Sequence, residues 1–297
     1  MNRKLAKLLE HISKGTLIWR IRNHSKIERE RKWINFQNNS QPYLLGECDG
    51  FQMRLYRNDL LTKAIFLGEF ERLEVKFLQR FLETGDVFLD IGANIGLFSL
   101  AAAAVLKKKG HIHSFEPSVR NYEKLIENIA LNNFSNVKTH NYGVSDKTGK
   151  MTLYEIDQGL GALSSYAPLE GSSGAVKTEV FPLDEIITRE QITKVTAIKI
   201  DVEGWEYPVI KGANDLFSKP NAPLLMVEFT DSNARSAGYS CQLVYDTLVK
   251  LGYDMYKINE NLKLTAEENK SFFEYSNLIC LKKGSSAHAR VKSFSLI

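Results

Sequence analysis

Cysteine is scarce in this chain of 297 residues: Cys48, Cys241 and Cys280 stand far apart, with no C-x-x-C pair. So sparse and odd a set gives no disulfide framework and no zinc signature, and a reducing cytoplasm is the expected setting. Long apolar runs are absent too. No stretch reaches the roughly 18 consecutive apolar residues of a membrane span, and the N-terminus lacks the apolar region of a signal peptide. The six histidines show no metal-like spacing, and His111 and His113, which flank a strand, read as structural. What is present is an apolar content of 43%, enough for a sizeable core in one large domain or two modest ones.

Charge is uneven. Residues 1–32 hold ten basic residues against Glu10, Glu28 and Glu30, a net +7, while the whole chain carries +4 and the remainder therefore −3. Leu5, Leu8, Leu9, Ile12, Leu17, Ile18 and Ile21 can line one side of one or two helices here. A solvated helical cap over the main domain is the preferred reading. The alternative is an arm docking on anionic lipid, which would place the protein at the inner membrane face. A nucleic-acid surface is disfavoured because the body of the chain is not basic.

The chain is organised around Asp86–Pro117. Val87-Phe88-Leu89 reads as a buried strand ending at Asp90. A glycine turn, Gly92-Ala93-Asn94-Ile95-Gly96, leads into an apolar helix, and a second strand, His111–Phe115, stops at Glu116-Pro117. This geometry suits an adenosine-containing ligand. The glycines admit close backbone approach, and an acid about 20 residues beyond the loop accepts ribose hydroxyls. A dinucleotide fingerprint would need glycine where Asn94 stands. Asp90 would repel a pyrophosphate but attract an ammonium. S-adenosylmethionine, with an ammonium, a sulfonium and no phosphate, is therefore preferred to NAD.

Residues 43–67 read as a short β region, and Glu69–Gly85 as an amphipathic helix with Phe70, Leu73, Phe77, Leu78 and Phe81 at helical spacing. Glu69, Glu71 and Glu74 near its start suit the helix dipole, or one of them faces the ligand. Alternating strands and helices follow to about residue 230. They are interrupted by the Gly/Ser-rich loop 157–175, and the tail from Gly284 reads as loosely ordered. The expected organisation is a basic arm and β region over 1–68, a catalytic domain over 69–283 and a tail over 284–297. Five apolar runs each end in or near an acid: Asp90, Glu116, Asp146, Asp201 and Glu228. A mainly parallel sheet would bring all five to the rim where ligands bind.

These motifs resemble those of the FkbM family of class I S-adenosylmethionine-dependent methyltransferases. Asp90–Gly96 resembles the cofactor loop, Phe115-Glu116-Pro117 the ribose-binding turn, and Ile198-Lys199-Ile200-Asp201-Val202-Glu203-Gly204 the most characteristic segment. Pro182–Glu185 resembles its upstream companion. The resemblance covers roughly 69–230, and Trp205 is bulkier than the small residue expected there. It implies a Rossmann-like three-layer α/β sandwich with a mainly parallel, seven-stranded sheet. It also implies O-methylation of a sugar, glycan or secondary-metabolite hydroxyl.

The candidate cofactor residues are Asp90, Gly92, Asn94, Gly96, Glu116, Pro117, Ser145 and Asp146. For chemistry they are Lys199, Asp201, Glu203 and Glu228. Methyl transfer needs in-line approach at about 3 Å, and a base or a metal must take up the hydroxyl proton. Asp201, Glu203 and Glu228 are also candidate ligands for a hard cation such as Mg²⁺, and the sequence does not choose. A nicotinamide oxidoreductase and a catalytically silent S-adenosylmethionine-binding module remain as competing readings. The acceptor and the oligomeric state are not written in the sequence.

Overall fold

The computed structural model describes residues 24–295, except 42, 49, 58, 157–163, 169–171 and 173. At its centre is an eight-stranded sheet. Its parallel part is made of β3 (Val87–Ile91), β4 (His111–Phe115), β5 (Val137–His140), β10 (Ala197–Ile200) and β11 (Leu224–Phe229). Three antiparallel strands complete it: β12 (Tyr253–Ile258), β13 (Leu264–Ala266) and β14 (Ser276–Lys282). The order is β13-β12-β14-β11-β10-β3-β4-β5. The expected mainly parallel sheet is present, with an eighth strand in the three-residue edge strand β13.

The parallel strands read as continuous apolar runs because both of their faces are covered. β10 and β11 are buried at every position. One face packs against the helices Arg72–Phe81 and Leu97–Leu106, through Phe77, Phe81, Phe98 and Leu100. The other packs against Glu206–Lys211, Asn214–Ser218 and Cys241–Lys250, through Val209, Phe217 and Val244. Chain order runs outward from β3 to β5, then resumes at β10 on the other side of β3. The β3/β10 boundary is therefore the switch point, where open α/β sheets hold ligands.

Several expectations are corrected. Residues 43–67 are not all β. A hairpin, β1 (Tyr43–Cys48) with β2 (Phe51–Tyr56), is followed by the helix Leu60–Leu67, whose N-cap Asp59 accepts from the Thr62 amide at 3.0 Å. The arm and the catalytic domain share a core. Trp33 and Phe36 of the helix His24–Gln37 are buried with Met53, Leu55 and Phe77. Residues 1–23 and most of the 157–175 loop lie outside the described residues. The tail is not loose: Ser286–Lys292 is a helix capped by Ser285, with Val291 buried and Arg290 ion-paired to Asp86. Among the described residues, no helix is long and apolar enough to cross a membrane.

A second sheet, β6-β9-β7-β8, is inserted between β5 and β10. It comprises β6 (Gly143–Ser145), β7 (Gly149–Glu155), β8 (Ser164–Ser165) and β9 (Gly174–Pro182). It brings Leu153, Ser165 and Tyr166 to the carboxyl end of the main sheet.

Candidate active site

A cavity of about 330 Å³ opens at the switch point. Its floor is the glycine loop between β3 and the helix Leu97–Leu106. Gly92 has φ +84, and a Cβ there would lie 1.8 Å from the Asp201 carbonyl oxygen. The expected role of Gly92 in backbone approach to the ligand is thus joined by a tighter one: only glycine lets β3 and β10 close on each other. Gly96, at φ +98, starts the helix and packs on Leu125 without lining the cavity.

The loop amides are largely committed. Gly92 and Ala93 both donate to the Phe115 carbonyl at 3.0 Å, Asn94 donates to Glu116 Oε2 at 2.8 Å, and Gly96 donates to the Ala93 carbonyl at 2.8 Å. Glu116 Oε1 accepts from the Ser118 amide at 2.9 Å. The acid beyond the loop is therefore fastened to the loop it serves. Each carboxylate oxygen keeps a second lone-pair site, able to accept a further hydrogen bond. Burial pushes the Glu116 carboxyl up to about 7, against the pull of its two amide donors. Pro117 lines the same end, and the Asn94 side-chain Oδ1 is buried without a hydrogen-bond partner.

Two strands away, about 10 Å at ordinary strand spacing, the other end of the cavity is ionic. Register pairs Asp90 with Lys199 and Lys199 with Met226, so Asp90, Lys199, Asp201 and Glu228 share one face of the sheet. Asp90 Oδ2 accepts from Ser99, and burial raises its pKa. Lys199 is 4% exposed, in ion pairs with Asp201 and, at 3.7 Å, with Glu71, and its ammonium lies 4.4 Å from the Phe98 ring centroid. Burial alone would lower its pKa, but Asp201, Glu71 and Asp90 outweigh that and hold the ammonium charged.

Glu203, at φ 51, accepts from Asn233 at 2.8 Å; burial, then Asp201 and Glu206, push it up to about 8. Glu206 accepts the Val202 and Gly204 amides and so braces the turn after β10. Glu228 is raised well above the usual carboxylate range by burial and then by Asp201. It accepts from Thr230 but does not line the cavity.

Two of the sequence-derived groupings are not formed. Ser145 and Asp146 do not line the cavity. Ser145 accepts from the Trp205 indole at 3.2 Å and Asp146 pairs with Lys211 at 2.9 Å, so both brace the segment after β10. That contact also explains the tryptophan. Trp205 packs against Tyr166 of the inserted sheet, with ring centroids 5.8 Å apart, and stays out of the cavity. Nor do Asp201, Glu203 and Glu228 gather as a cation site. Among the described residues, the group of three whose ligand atoms lie within 4.8 Å of one another is His113, His140 and Glu190, elsewhere in the fold. Lys199 already supplies a positive charge beside Asp201.

Sequence reasoning missed Glu71 as a committed site residue, and missed Tyr275 and Asn277 entirely. Glu71 precedes the helix Arg72–Phe81 in a left-handed conformation, φ 42 and ψ 30, and makes no side-chain capping bond. Its side chain turns inward instead. Oε1 accepts from Tyr275 at 3.1 Å and from Asn277 at 2.6 Å. The carboxyl is pushed up to about 7 by burial, against the pull of Lys199. The helix Leu60–Leu67, also unanticipated, walls the cavity with Leu60, Leu61, Ala64 and Ile65.

Comparison with known proteins agrees with this geometry. The family profile "Methyltransferase FkbM domain" matches residues 90–255. The chain is 25% identical over 200 residues to the hexuronic acid methyltransferase AglP of Haloferax volcanii, covering 66% of this chain and 79% of that protein. It is 29% identical over 163 residues to the 31-O-demethyl-FK506 methyltransferase FkbM of Streptomyces tacrolimicus, covering 45% of this chain and 62% of that one. The crystal structure of methyltransferase FkbM from Methylobacillus flagellatus aligns with TM-score 0.43 and 16% identity, over 88% of this chain and 59% of that one. With the family profile matching more than half of its length, the chain belongs to the FkbM methyltransferase family.

Proposed function

We propose that the chain is an S-adenosylmethionine-dependent O-methyltransferase whose acceptor is a hydroxyl of a sugar, glycan or secondary metabolite. One observation carries the choice of cofactor. Of the five loop residues from Gly92 to Gly96, four amides are already bonded within the protein. A dinucleotide pyrophosphate would need those amides. An adenosine ribose needs only Glu116. The opposite end supports the same choice, since the carboxyl groups of Glu71, Asp90, Asp201 and Glu203 outnumber the Lys199 ammonium and a cationic ligand favours their ionised forms.

S-adenosylmethionine brings an electrophilic methyl group on a positively charged sulfur. The protein's part is to hold the ribose at Glu116, exclude water with the Leu60–Leu67 helix and Phe98, and take up the acceptor's proton. Asp201 lines the cavity with its carboxylate held by Lys199, and in this reading it receives that proton directly. The acceptor enters past Leu60, which is 53% exposed at the rim. Its neighbours Leu61 and Ile65 suit the C–H face of a sugar ring or an aliphatic skeleton. The names of the Haloferax and Streptomyces relatives, one a hexuronic acid and one a demethyl-FK506 methyltransferase, support a hydroxyl-bearing acceptor.

Titration calorimetry of the full chain tests the reading. S-adenosylmethionine is expected to bind and NAD to give no heat of binding. NAD binding, with S-adenosylmethionine silent, would overturn it in favour of an oxidoreductase.

A further inference from the structure

Glu71 is the cavity-lining carboxyl group whose surroundings are least explained by cofactor holding or by folding. A non-glycine residue in the left-handed region is strained and persists only where the surroundings over-determine it. Here that conformation does not serve a helix cap. It delivers a carboxyl group to the ionic end of the cavity.

Oε1 is held by Tyr275, just before β14, and by Asn277 on β14, whereas Oε2 is buried with no hydrogen-bond partner, 3.7 Å from the Lys199 ammonium. The groups facing Glu71 are Glu74 on its own helix, Lys199 on β10, Asp201 and Glu203 after it, Tyr275 just before β14 and Asn277 on β14, with Asp90 on β3 acting on the same Lys199 ammonium. The other acids are committed: Asp90 to Ser99, Asp201 to Lys199, Glu203 to Asn233 and Glu206 to two amides. Glu228 also has a vacant oxygen but does not line the cavity. Glu71 thus combines cavity lining with an oxygen on which a proton can rest.

We infer that Glu71 is a specificity-determining residue that senses the charge of the cofactor's sulfur, ionised when the sulfonium is bound and protonated when the neutral, demethylated product occupies the site. The inference rests on the methyl-transfer reading above. In transfer, the acceptor oxygen forms its bond to the methyl carbon, the C–S bond breaks and its electron pair stays on sulfur. The hydroxyl proton leaves through Asp201. The cavity has then lost one positive charge, and Glu71 restores the balance by taking a proton from solvent. Product therefore sits in a less anionic site than substrate and lacks the attraction that holds the sulfonium, without any movement of the fold. The free carboxyl, pushed up by burial to about 7, lies where a nearby positive charge switches its ionisation at neutral pH.

The test needs no acceptor. S-adenosylmethionine and S-adenosylhomocysteine are titrated into the full chain at pH 6.5, in buffers of different ionisation enthalpy, so that protons released are counted along with affinity. Wild type is expected to release more protons with S-adenosylmethionine than with S-adenosylhomocysteine. Glu71→Gln should erase that difference and cut the affinity ratio of the two ligands by about tenfold or more, the scale of one charge at roughly 12 Å and an effective dielectric near 20.

Equal weakening of both ligands by Glu71→Gln, with the proton difference intact, would mean that Glu71 merely supports the fold or pairs with the ammonium common to both. Equal proton release by wild type with both ligands would overturn the inference as well. Failure of wild type to bind either would instead refute the methyl-transfer reading itself.

Asn277→Ala guards against misfolding of the first variant. It removes a donor that stabilises the ionised Glu71, so the pH midpoint of the extra proton release should move upward. An unmoved midpoint contradicts the inference.

Discussion

Gly92→Ala places a single methyl group at the tightest backbone contact of the site. The new Cβ would sit 1.8 Å from the Asp201 carbonyl oxygen and 2.8 Å from its carbon, where real contacts begin at about 3.0 Å. Both atoms are backbone, at the end of β10, so no side chain can swing aside. Alanine at φ +84 also costs about 1–2 kcal/mol for the left-handed conformation, and forced overpacking of this kind adds about 1–3 kcal/mol. The sum, about 2–5 kcal/mol, is a large share of the roughly 5–15 kcal/mol that holds a domain together. Urea unfolding should show the midpoint falling with the slope unchanged. Cofactor binding should fall as well, because the displaced loop carries the Asn94 amide that orients Glu116. An unchanged midpoint would mean that β3 and β10 are not closed as described; normal stability with lost binding would restore simple blocking of the ligand as the cause.

Other perturbations separate the parts of the site. Glu116→Ala should weaken S-adenosylmethionine by about 1–3 kcal/mol in calorimetry, the scale of lost charge-assisted hydrogen bonds, and unaltered affinity would remove Glu116 from the ribose site. Asp201→Asn should leave that affinity within a few-fold and lower turnover by about 10²-fold on the hydroxyl acceptor, while EDTA leaves turnover unchanged; inhibition by EDTA would point to a metal. Trp33→Ala should cost about 3–5 kcal/mol if the helix His24–Gln37 is part of the core, and a mild effect would favour a detachable arm, which salt-sensitive binding to anionic vesicles would then reveal. Stability without ligand should fall as pH rises from about 6.5 to 8. Glu71 and Glu116 at about 7 and Glu203 at about 8 lie above their unfolded values, so the folded state binds more protons than the unfolded one in that window. Below pH 6.5 the sign reverses for His113 and His140, which burial lowers to about 4, and their contribution is lost on acidification. A thermal midpoint that rises from pH 6.5 to 8 would contradict the burial of these acids.

The parts legible in the sequence were those encoded locally. The glycine loop, Glu116 and the acid-terminated strands are contiguous patterns with one sterically sensible fold. Strand parity also carries Lys199 and Asp201 to the same face, since residues two apart share a side. Ser145 closes β6 and Asp146 follows it, so both belong to the inserted sheet rather than to the main one and do not line the cavity. Asp201, Glu203 and Glu228 do not converge as a group of three, because proximity at a strand rim does not fix where side chains point. Glu71, Tyr275 and Asn277 were hidden for a different reason: they meet only because β14 runs antiparallel beside β11, some 200 residues after Glu71. The turn at Glu71 has no glycine to announce its left-handed backbone, and the helix Leu60–Leu67 was masked by its nearly uniform apolar composition.

The most direct test of the account is a crystal structure of the chain with S-adenosylmethionine bound. The ribose hydroxyls are predicted on the Glu116 carboxylate, with the methyl group turned toward Asp201 and the Leu60–Leu67 wall. A ribose placed away from Glu116, or a methyl group facing away from Asp201, would contradict the account.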